Sequence, residues 1–269
     1  MSAQYERGRF ELKYVLPAAQ RTEVLRLALP HVQSDPHAVE LPGNRRGYLV
    51  HSLYLDTPGL GDYFARLEER KVRNRLRIRT YGLPQQRQPV FLEVKRKSGP
   101  WVVKHRVAVG DADEWCQSAN ARPWVAFAAR IGGRNRYAAE AFLQLVEGAG
   151  RVPVSVVHYE REVFVPREKC TRRVRLTLDY NIGARRPSCA QDPFGPAEAC
   201  LVPPEWMVME LKFEDFAPGW MVRLRHELGV RSVPVSKFGL SVARMQRAAY
   251  PEELRSLLPP PIVHTERAA

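Results

Sequence analysis

Residues that could bind phosphate occupy every second position of one extended segment. In 71–81, KVRNRLRIRTY, the odd positions from 71 to 79 are all Lys or Arg, and apolar residues stand between several of them. Because side chains alternate across a β-strand, these five cations share one face. Like charges in a row repel one another, so this face must meet water or a polyanion. Guanidinium groups suit the second role, since each can donate two hydrogen bonds to one phosphate.

The same alternation recurs in other segments, where a few carboxylates join the cations. The polar faces hold Glu11 and Lys13 in 9–16; Glu93, Lys95 and Lys97 in 89–97; Lys104 and Arg106 in 101–109; Arg173, Arg175 and Asp179 in 171–180; and Glu210, Lys212 and Glu214 in 206–214. Half-exposed strands that face solvent would also give this pattern. These faces contain hardly any Ser, Asn or Gln, however. Their composition suits phosphate groups held by Lys and Arg, together with a divalent metal held by carboxylates.

The elements that would position these residues alternate in blocks along the chain. Extended segments are predicted at 9–16, 48–55, 71–81, 89–97, 101–109, 154–165, 171–180 and 206–214, and helices at 17–29, 58–69, 112–130, 136–147, 218–228 and 237–249. We therefore predict an α+β fold, in which helices cover the apolar face of an antiparallel sheet. If the charged face curls inward, the sheet becomes a barrel with a cationic lumen. Residues 1–250 are predicted to form a single domain and 251–269 a C-terminal tail.

The composition excludes several classes of protein. The chain has 269 residues, 45% apolar side chains and a formal net charge of +13, which is not the composition of a mainly disordered protein. No run approaches the roughly 18 apolar residues that a membrane-spanning helix needs. The N-terminus lacks the apolar core of a signal peptide, and the four cysteines form no CxxC pair. We therefore expect a cytoplasmic protein without a zinc ribbon or a disulfide framework.

Nine short motifs, in this order, resemble the polyphosphate polymerase domain of the VTC (vacuolar transporter chaperone) family, within the triphosphate tunnel metalloenzymes. They are RFELKY (9–14), HSLYLDT (51–57), RLRIRTYG (75–82), FLEVKRK (91–97), KHRV (104–107), YERE (159–162), RVRLTLDY (173–180), MELKF (209–213) and SKFGLS (236–241). The resemblance implies a tunnel of eight antiparallel strands, lined by basic residues, that holds a triphosphate or polyphosphate chain. It also implies transfer of the terminal phosphate of ATP to a growing polyphosphate, with Mn²⁺ or Mg²⁺ as the metal.

The resemblance assigns roles to individual residues as well. Phosphate oxygens would be bound by Lys13, Arg77, Arg79, Lys95, Arg161, Arg175 and Lys237, with Ser236 adding a contact at a helix start. Within this set the predicted catalytic residues are Arg77, Arg79, Lys95, Arg161 and Arg175. The alternation of charge adds further phosphate ligands, namely Arg75, Lys97, Lys104, Arg106 and Lys212. Glu210 would be the metal carboxylate, and Glu11 a second ligand.

Two departures from the family patterns bear on the reaction. The phosphatase and cyclase branch of the superfamily begins with the motif ExExK, and this chain has Arg9 where the first glutamate would stand. This difference favours the polymerase-like branch. Pro234 occupies a position where the eukaryotic polymerases carry a lysine. Those polymerases also carry an inositol-phosphate-sensing domain and membrane segments, neither of which we expect in this chain.

Three functions remain open at this stage. The first is a metal-dependent polyphosphate polymerase that uses ATP, and the second is a hydrolase of the same fold that cleaves triphosphate or nucleoside triphosphates. The third is a non-catalytic module that binds polyphosphate or nucleic acid. No nucleic-acid-binding motif occurs, so no specific nucleic acid partner is expected. A membrane partner and the oligomeric state are left open.

Structural roles compete with the functional ones at several positions. Arg161 and Arg175 could pair with Glu160 and Asp179, and Glu210 could pair with an arginine of the lumen. Aromatic residues of the strands are predicted to pack rather than to stack on bases; they are Tyr54, Tyr81, Tyr159 and Phe213. The histidines have no spacing typical of a zinc site, and Cys116 lacks the neighbours of a catalytic thiol.

Overall fold

The protein is described by a computed structural model that covers residues 9–83, 88–99, 101–167 and 174–245. Its strands are β1 (Arg9–Pro17), β2 (Val32–Ser34), β3 (Val39–Leu41), β4 (Arg45–Asp56), β5 (Val72–Tyr81), β6 (Pro89–Ser98), β7 (Trp101–Asp111), β8 (Val152–Pro166), β9 (Arg175–Arg185), β10 (Ala199–Cys200) and β11 (Trp206–Glu214). Its helices are α1 (Arg21–Ala28), α2 (Gly61–Leu67), α3 (Ala112–Cys116), α4 (Pro123–Ala129), α5 (Arg136–Glu147), α6 (Gly219–Glu227) and α7 (Lys237–Met245). The predicted tail, 251–269, lies outside the described residues.

Eight of the strands form one continuous antiparallel sheet, in the order β1-β11-β9-β8-β4-β5-β6-β7. The three short strands extend it locally, because β10 pairs with β9, β2 with β8 and β3 with β4. The prediction of an α+β fold, with an antiparallel sheet and flanking helices, is confirmed. The sheet is not closed into a barrel in the described residues, since β1 and β7 form no backbone pairing there, but its curled form agrees with the predicted tunnel fold.

The sheet nevertheless curls far enough to bring its two edges to a common cavity. Glu11 of β1 and Lys104 of β7 both line this cavity, and Glu11 interacts electrostatically with Lys95 of β6. Lysines point inward from both edges of the sheet, including Lys13 on β1. Backbone pairing of these edges would set like charges side by side, which is unfavourable. The two edges are therefore joined by attraction between charged side chains, such as Glu11 and Lys95, where a closed barrel would have backbone hydrogen bonds.

The convex face of the sheet is apolar and is covered by helices. On β5, Leu76 and Ile78 are fully buried, and they belong to a core that includes Trp124 of α4 and Phe142 of α5. A second core under α1 and α6 joins Leu176, Leu178, Met209, Leu211, Val24 and Leu224. Since successive side chains point to opposite faces, burying these apolar residues turns the charged residues to the concave face.

Helix α7 is the exception, because it packs on the concave face. Its Phe238 stacks on Tyr54 with ring centroids 4.9 Å apart and shares a core with Val157 and Val208. Eight of its nine residues are buried, which accounts for its almost uniformly apolar and small sequence. The hydroxyl of Ser236 accepts a hydrogen bond from the backbone N–H of Gly239, at 3.2 Å, and so caps the helix. Helix α7 thereby fills one part of the concave face and leaves the cationic part open.

Three predicted helices differ from the observed ones, of which 17–29 is α-helical only from Arg21, where α1 begins. The segment 112–130 forms two helices, because the chain breaks after Cys116 and restarts with Pro123 in the first turn of α4. Asp111 caps the first of them, accepting a hydrogen bond from Glu114 N at 2.9 Å. The segment 58–69 becomes helical only at Gly61, whose N–H is capped by the Thr57 hydroxyl at 2.8 Å. Among the described residues, none of the helices has the length and apolarity needed to cross a membrane.

At Gly47, β4 lies so close to β8 that there is no room for a side chain. A Cβ built on this residue would overlap the backbone oxygen of Arg161, a strand residue that cannot move aside independently. We expect Gly47→Ala to lower the free energy of unfolding by about 2 kcal/mol, measured by urea denaturation. Gly132→Ala is the matched control, because nothing lies within 4 Å of its Cβ position. Equal stability of the two variants would contradict the close approach.

Candidate functional site

The concave face encloses a cavity of about 260 Å³ whose lining is strongly cationic. Ten of the lining residues are Lys or Arg and three are Glu. The cations are Lys13, Arg75, Arg77, Arg79, Lys95, Lys104, Arg106, Arg161, Lys212 and Lys237, and the carboxylates are Glu11, Glu93 and Glu210. They come from β1, β5, β6, β7, β8, β11 and α7, so the curvature of the sheet assembles the cavity from the whole chain.

Glu93 organises the wall formed by β5, β6 and β7. Its carboxylate accepts a hydrogen bond from Arg77 Nε at 2.5 Å and lies 3.3 Å from Arg106 Nε. Burial raises the pKa of this carboxyl, but Arg77 and Arg79 outweigh burial and hold the pKa at about 2. Glu93 is therefore ionised and fixes the direction of the two guanidinium groups that it contacts.

Arg75 and Arg79 lie on the same wall, and the described residues give neither of them a carboxylate partner. Arg79 is buried, and it donates to Ser52 Oγ at 3.2 Å and to Tyr159 Oη at 3.4 Å. Burial lowers the pKa of Arg75 and Arg77 lowers it further, although Tyr54, Glu11 and Glu210 act in the opposite direction without forming an ion pair. Two guanidinium groups thus face the cavity with their charge poorly compensated, which is the state that an incoming anion would relieve.

The opposite wall is held by a buried carboxylate on β9. Asp179 is fully buried and accepts a bidentate pair of hydrogen bonds from Arg161, at 2.5 and 2.6 Å, and a third from Lys237 Nζ at 2.5 Å. Burial raises the pKa of Asp179, but Arg161 and Lys237 lower it further than burial raises it. Arg161 is therefore both the structural partner of Asp179 and part of the cavity lining.

Glu210 lies at the centre of four cations. Its oxygens are 2.7 Å from Lys212 Nζ, 3.5 Å from Arg161 Nη2, 3.6 Å from Lys237 Nζ and 3.7 Å from Lys13 Nζ. Burial raises its pKa, yet these cations hold the pKa well below its ordinary value. Without a ligand, Glu210 is a salt-bridge partner, as the structural alternative predicts, and its ionised oxygens face the cavity.

The carboxylates can hold a divalent metal only with help from a ligand. Glu11 and Glu210 lie near one another on paired strands, and Lys13 Nζ is 3.1 Å from Glu11 and 3.7 Å from Glu210. Among the described residues no group of three or more His, Cys, Asp or Glu could hold a metal ion. Mg²⁺ and Mn²⁺ are often bound by one or two carboxylates plus phosphate oxygens and water, so the donors present fit such an ion in the presence of phosphate.

Most of the predicted site residues meet in this cavity, and three do not. Lys97 lies on the same face of β6 as Lys95 but beyond the lining, opposite Arg73 of β5. Arg175 is exposed at the start of β9, where it pairs in register with Lys212. Ser236 caps α7, so its hydroxyl already serves the helix. The other twelve, including both predicted metal ligands, line the cavity.

Two lining residues were interpreted from the sequence as packing residues only. Tyr54 and Tyr159 are buried, as that prediction requires, but both also line the cavity. Arg77 Nη1 donates to Tyr54 Oη at 3.3 Å, and Lys237 lies 4.8 Å from the ring centroid of Tyr159. The signal was present in HSLYLDT, where Tyr54 alternates in step with Ser52 against the arginines of β5.

Two groups of the cavity titrate near neutral pH. Burial raises the pKa of Tyr54, but Arg77, Arg75 and Arg79 outweigh burial and lower the pKa to about 8. Burial lowers the pKa of Lys95 to about 8, although Glu11 acts in the opposite direction. As pH rises through 8, Lys95 loses a positive charge and Tyr54 gains a negative one. Both changes weaken the attraction of the cavity for an anion.

We therefore expect affinity for inorganic triphosphate to fall by about tenfold between pH 7.5 and 9 at constant ionic strength, measured by calorimetry. The double variant Tyr54→Phe, Lys95→Arg lacks both of these titrating groups of the cavity, so its affinity is expected to change much less. Triphosphate itself also changes its protonation over this range, but this affects the original protein and the variant equally, so the difference between their affinities excludes it. A parallel fall in the variant would show that other groups control the pH dependence.

Comparisons with known proteins agree with this geometry at the level of the family. The VTC domain model matches residues 8–246. No protein of curated function matches the sequence. One solved structure, from Hippeastrum and described as a candidate adenylyl cyclase with a dominant triphosphatase activity, is 18% identical; the alignment covers 88% of this chain and 97% of that one with a TM-score of 0.47. Since the family model spans most of the sequence, including every residue that lines the cavity, the chain belongs to the VTC domain family.

Proposed function

We propose that this protein transfers the terminal phosphate of ATP to a polyphosphate chain inside the cavity, with Mn²⁺ or Mg²⁺ as the metal. The observation that carries the proposal is the charge of the lining, in which ten Lys or Arg face three Glu. A triphosphate or polyphosphate supplies closely spaced negative charge along a line, and it would offset this excess. Membership of the VTC domain family supports the same substrate class.

The residues present match what phosphoryl transfer requires. The reaction needs positioned phosphates and neutralised charge, with little covalent work by the protein. Arg77 is fixed by Glu93 and Arg161 by Asp179, so each guanidinium keeps its direction before a substrate arrives. Such preorganised donors stabilise developing charge without reorganising during the reaction. Lys13 and Lys95 would act as point charges on neighbouring phosphates.

Glu210, with Glu11 as a second ligand, would hold a divalent ion together with phosphate oxygens. The ion would neutralise charge on the reacting phosphates. If Glu210 binds the ion, its carboxylate no longer pairs with the surrounding cations. Phosphate oxygens of the substrate would then take its place beside these cations, which are Lys13, Lys212, Arg161 and Lys237. Substrate entry thus exchanges one set of ion pairs for another and leaves few charges uncompensated.

The shape of the site supports polyphosphate over nucleic acid as the partner. Ten cations that point into a cavity of about 260 Å³ are inaccessible to a double helix, whose phosphates are spread over a wide cylinder. A narrow, flexible chain of phosphates can enter such a space. We therefore assign the excess charge of the lining to a phosphate chain and not to a duplex.

The direct test uses purified protein, ATP labelled on its terminal phosphate, and Mn²⁺ or Mg²⁺. We expect a ladder of labelled, nuclease-resistant polymer and an equivalent amount of ADP, resolved by gel and thin-layer chromatography. Labelled orthophosphate without polymer would show instead that the protein is a hydrolase. Formation of neither product, with saturable binding of polyphosphate, would identify a binding module and contradict the proposal.

Glu210→Gln tests the metal role of this carboxylate. The substitution removes one negative charge among four cations, so affinity for triphosphate without metal should be equal or higher. Turnover with Mn²⁺ or Mg²⁺ should fall by at least about 100-fold if Glu210 holds the ion. Glu160→Gln is the matched control, since Glu160 pairs with Arg45 outside the cavity and should leave turnover unchanged. Undiminished turnover in Glu210→Gln would refute the assignment.

A further inference from the structure

The cationic face of β5 and β6 continues past the cavity toward one end of the sheet. Arg73 and Lys97 are paired in register and lie on the same face as Arg75 and Lys95, one step further along each strand. Neither Arg73 nor Lys97 lines the cavity. At about 3.4 Å per residue, this step extends the cationic strand by roughly 7 Å beyond Arg75.

A third cation joins this extension from a different element. Arg66 of α2 lies close enough to Arg75 and Arg73 that both lower its pKa, after burial, which has the largest effect. Its Nη2 donates to the Pro234 carbonyl at 3.3 Å. Its Nη1 would be 3.1 Å from a Cβ at Gly239, so the missing side chain of that glycine allows the guanidinium to lie against the first turn of α7.

The described residues place no carboxylate within ion-pair distance of Arg66, Arg73 or Lys97. Two other half-buried arginines of this chain are paired with acids, Arg45 with Glu160 and Arg21 with Glu162. Three converging cations without an acid repel one another and are stabilised only by water or by a bound anion. The excess of positive charge in the cavity therefore continues beyond it, toward the Arg73 end of β5.

The other end of the same strands has a different character. There the concave face carries Tyr48, Tyr81 and Phe91, which contact one another edge to face with centroids 6.0 Å apart. Arg106 lies over the Phe91 ring at 3.8 Å and is 3.3 Å from Glu93, so its charge is already compensated. A phosphate chain that leaves the cavity along β5 would meet aromatic rings at this end and uncompensated cations at the other.

We propose that Arg66, Arg73 and Lys97 form a second anion subsite, continuous with the cavity through Arg75, that binds the part of a linear polyphosphate extending beyond the cavity. This inference rests on the proposed function for the identity of the anion. It assigns a direction to the bound chain: the segment outside the cavity lies between α2 and the paired ends of β5 and β6 at Arg73 and Lys97. It also predicts that chain length is recognised here and not at the lining residues.

The test compares two ligands, inorganic triphosphate and fluorescently end-labelled polyphosphate of several tens of residues. In the double variant Arg66→Gln, Arg73→Gln, affinity for the long chain should fall by about tenfold, whereas affinity for triphosphate should change less than about twofold. Lys97→Gln alone should give a smaller loss of the same kind. Because none of these cations pairs with an acid in the part of the chain that the structure describes, their removal leaves no buried carboxylate there without a partner, and the unfolding midpoint should not fall.

The matched control is Arg70→Gln, Arg96→Gln, which removes the same charge close to the same elements. Arg70 is exposed and pairs with Glu68 at 2.6 Å, and Arg96 lies exposed on the opposite face of β6. Both affinities should stay within about twofold of the original protein. An equal loss for the two ligands in Arg66→Gln, Arg73→Gln, or a loss in the control as large as in that variant, would overturn the subsite.

The subsite and the proposed function can fail separately. If the unaltered protein binds the long chain no better than triphosphate, the subsite is refuted, and the labelled-ATP assay still decides the reaction. If that assay yields no polymer while the long chain binds better and loses this advantage in Arg66→Gln, Arg73→Gln, the polymerase proposal is refuted and the subsite stands.

Discussion

The structure depends on the cost of holding ten cations around one small cavity with too few carboxylates to pair them. The chain meets this cost by placing each acid where it serves several cations at once. Asp179 contacts Arg161 and Lys237, Glu210 contacts four cations, and Glu93 contacts Arg77 and Arg106. Arg75 and Arg79 form no ion pair with a carboxylate of the described residues, so their charge is available to a ligand. In the free protein these cations repel one another, and a bound anion relieves that repulsion, which increases the affinity of the site for anions.

The rest of the fold makes this arrangement tolerable. Apolar residues of the strands are buried under helices on the convex face, which supplies the hydrophobic stabilisation that the charged face cannot. Helix α7 fills part of the concave face with Phe238, Leu240 and Val242 and contributes Lys237 to the cavity. Helix α7 thus shields the buried ion pairs from water and contributes Lys237, one of the partners of Asp179. Asp179 could not be buried without Arg161 and Lys237.

The distribution of paired and unpaired cations gives the site a direction. Charges near the aromatic end are compensated by Glu93, whereas Arg66, Arg73 and Lys97 at the other end have no acid among the described residues. Phosphoryl transfer to a polymer requires that the acceptor chain be held while its terminal phosphate reacts. A cationic path that continues on one side of the cavity would meet this requirement.

The sequence by itself determined which residues share a face. Strand periodicity is a local property, so the alternation of KVRNRLRIRTY was enough to predict that Arg75, Arg77 and Arg79 lie together opposite Leu76 and Ile78, and that the apolar face carries the helices. The motifs in their order were enough to predict the family. Both inferences need only neighbours along the chain.

The tertiary structure decided how those faces meet. Register and curvature depend on contacts between segments far apart in sequence, so the strands alone did not reveal that Asp179 would join Arg161 to Lys237 across β9, β8 and α7. They also did not show that the edges β1 and β7 stay unpaired in the described residues, or that Lys97 lies outside the cavity while Lys95 lies inside. Pairing of charges is a property of distance in three dimensions, and the period of a strand carries no information about it.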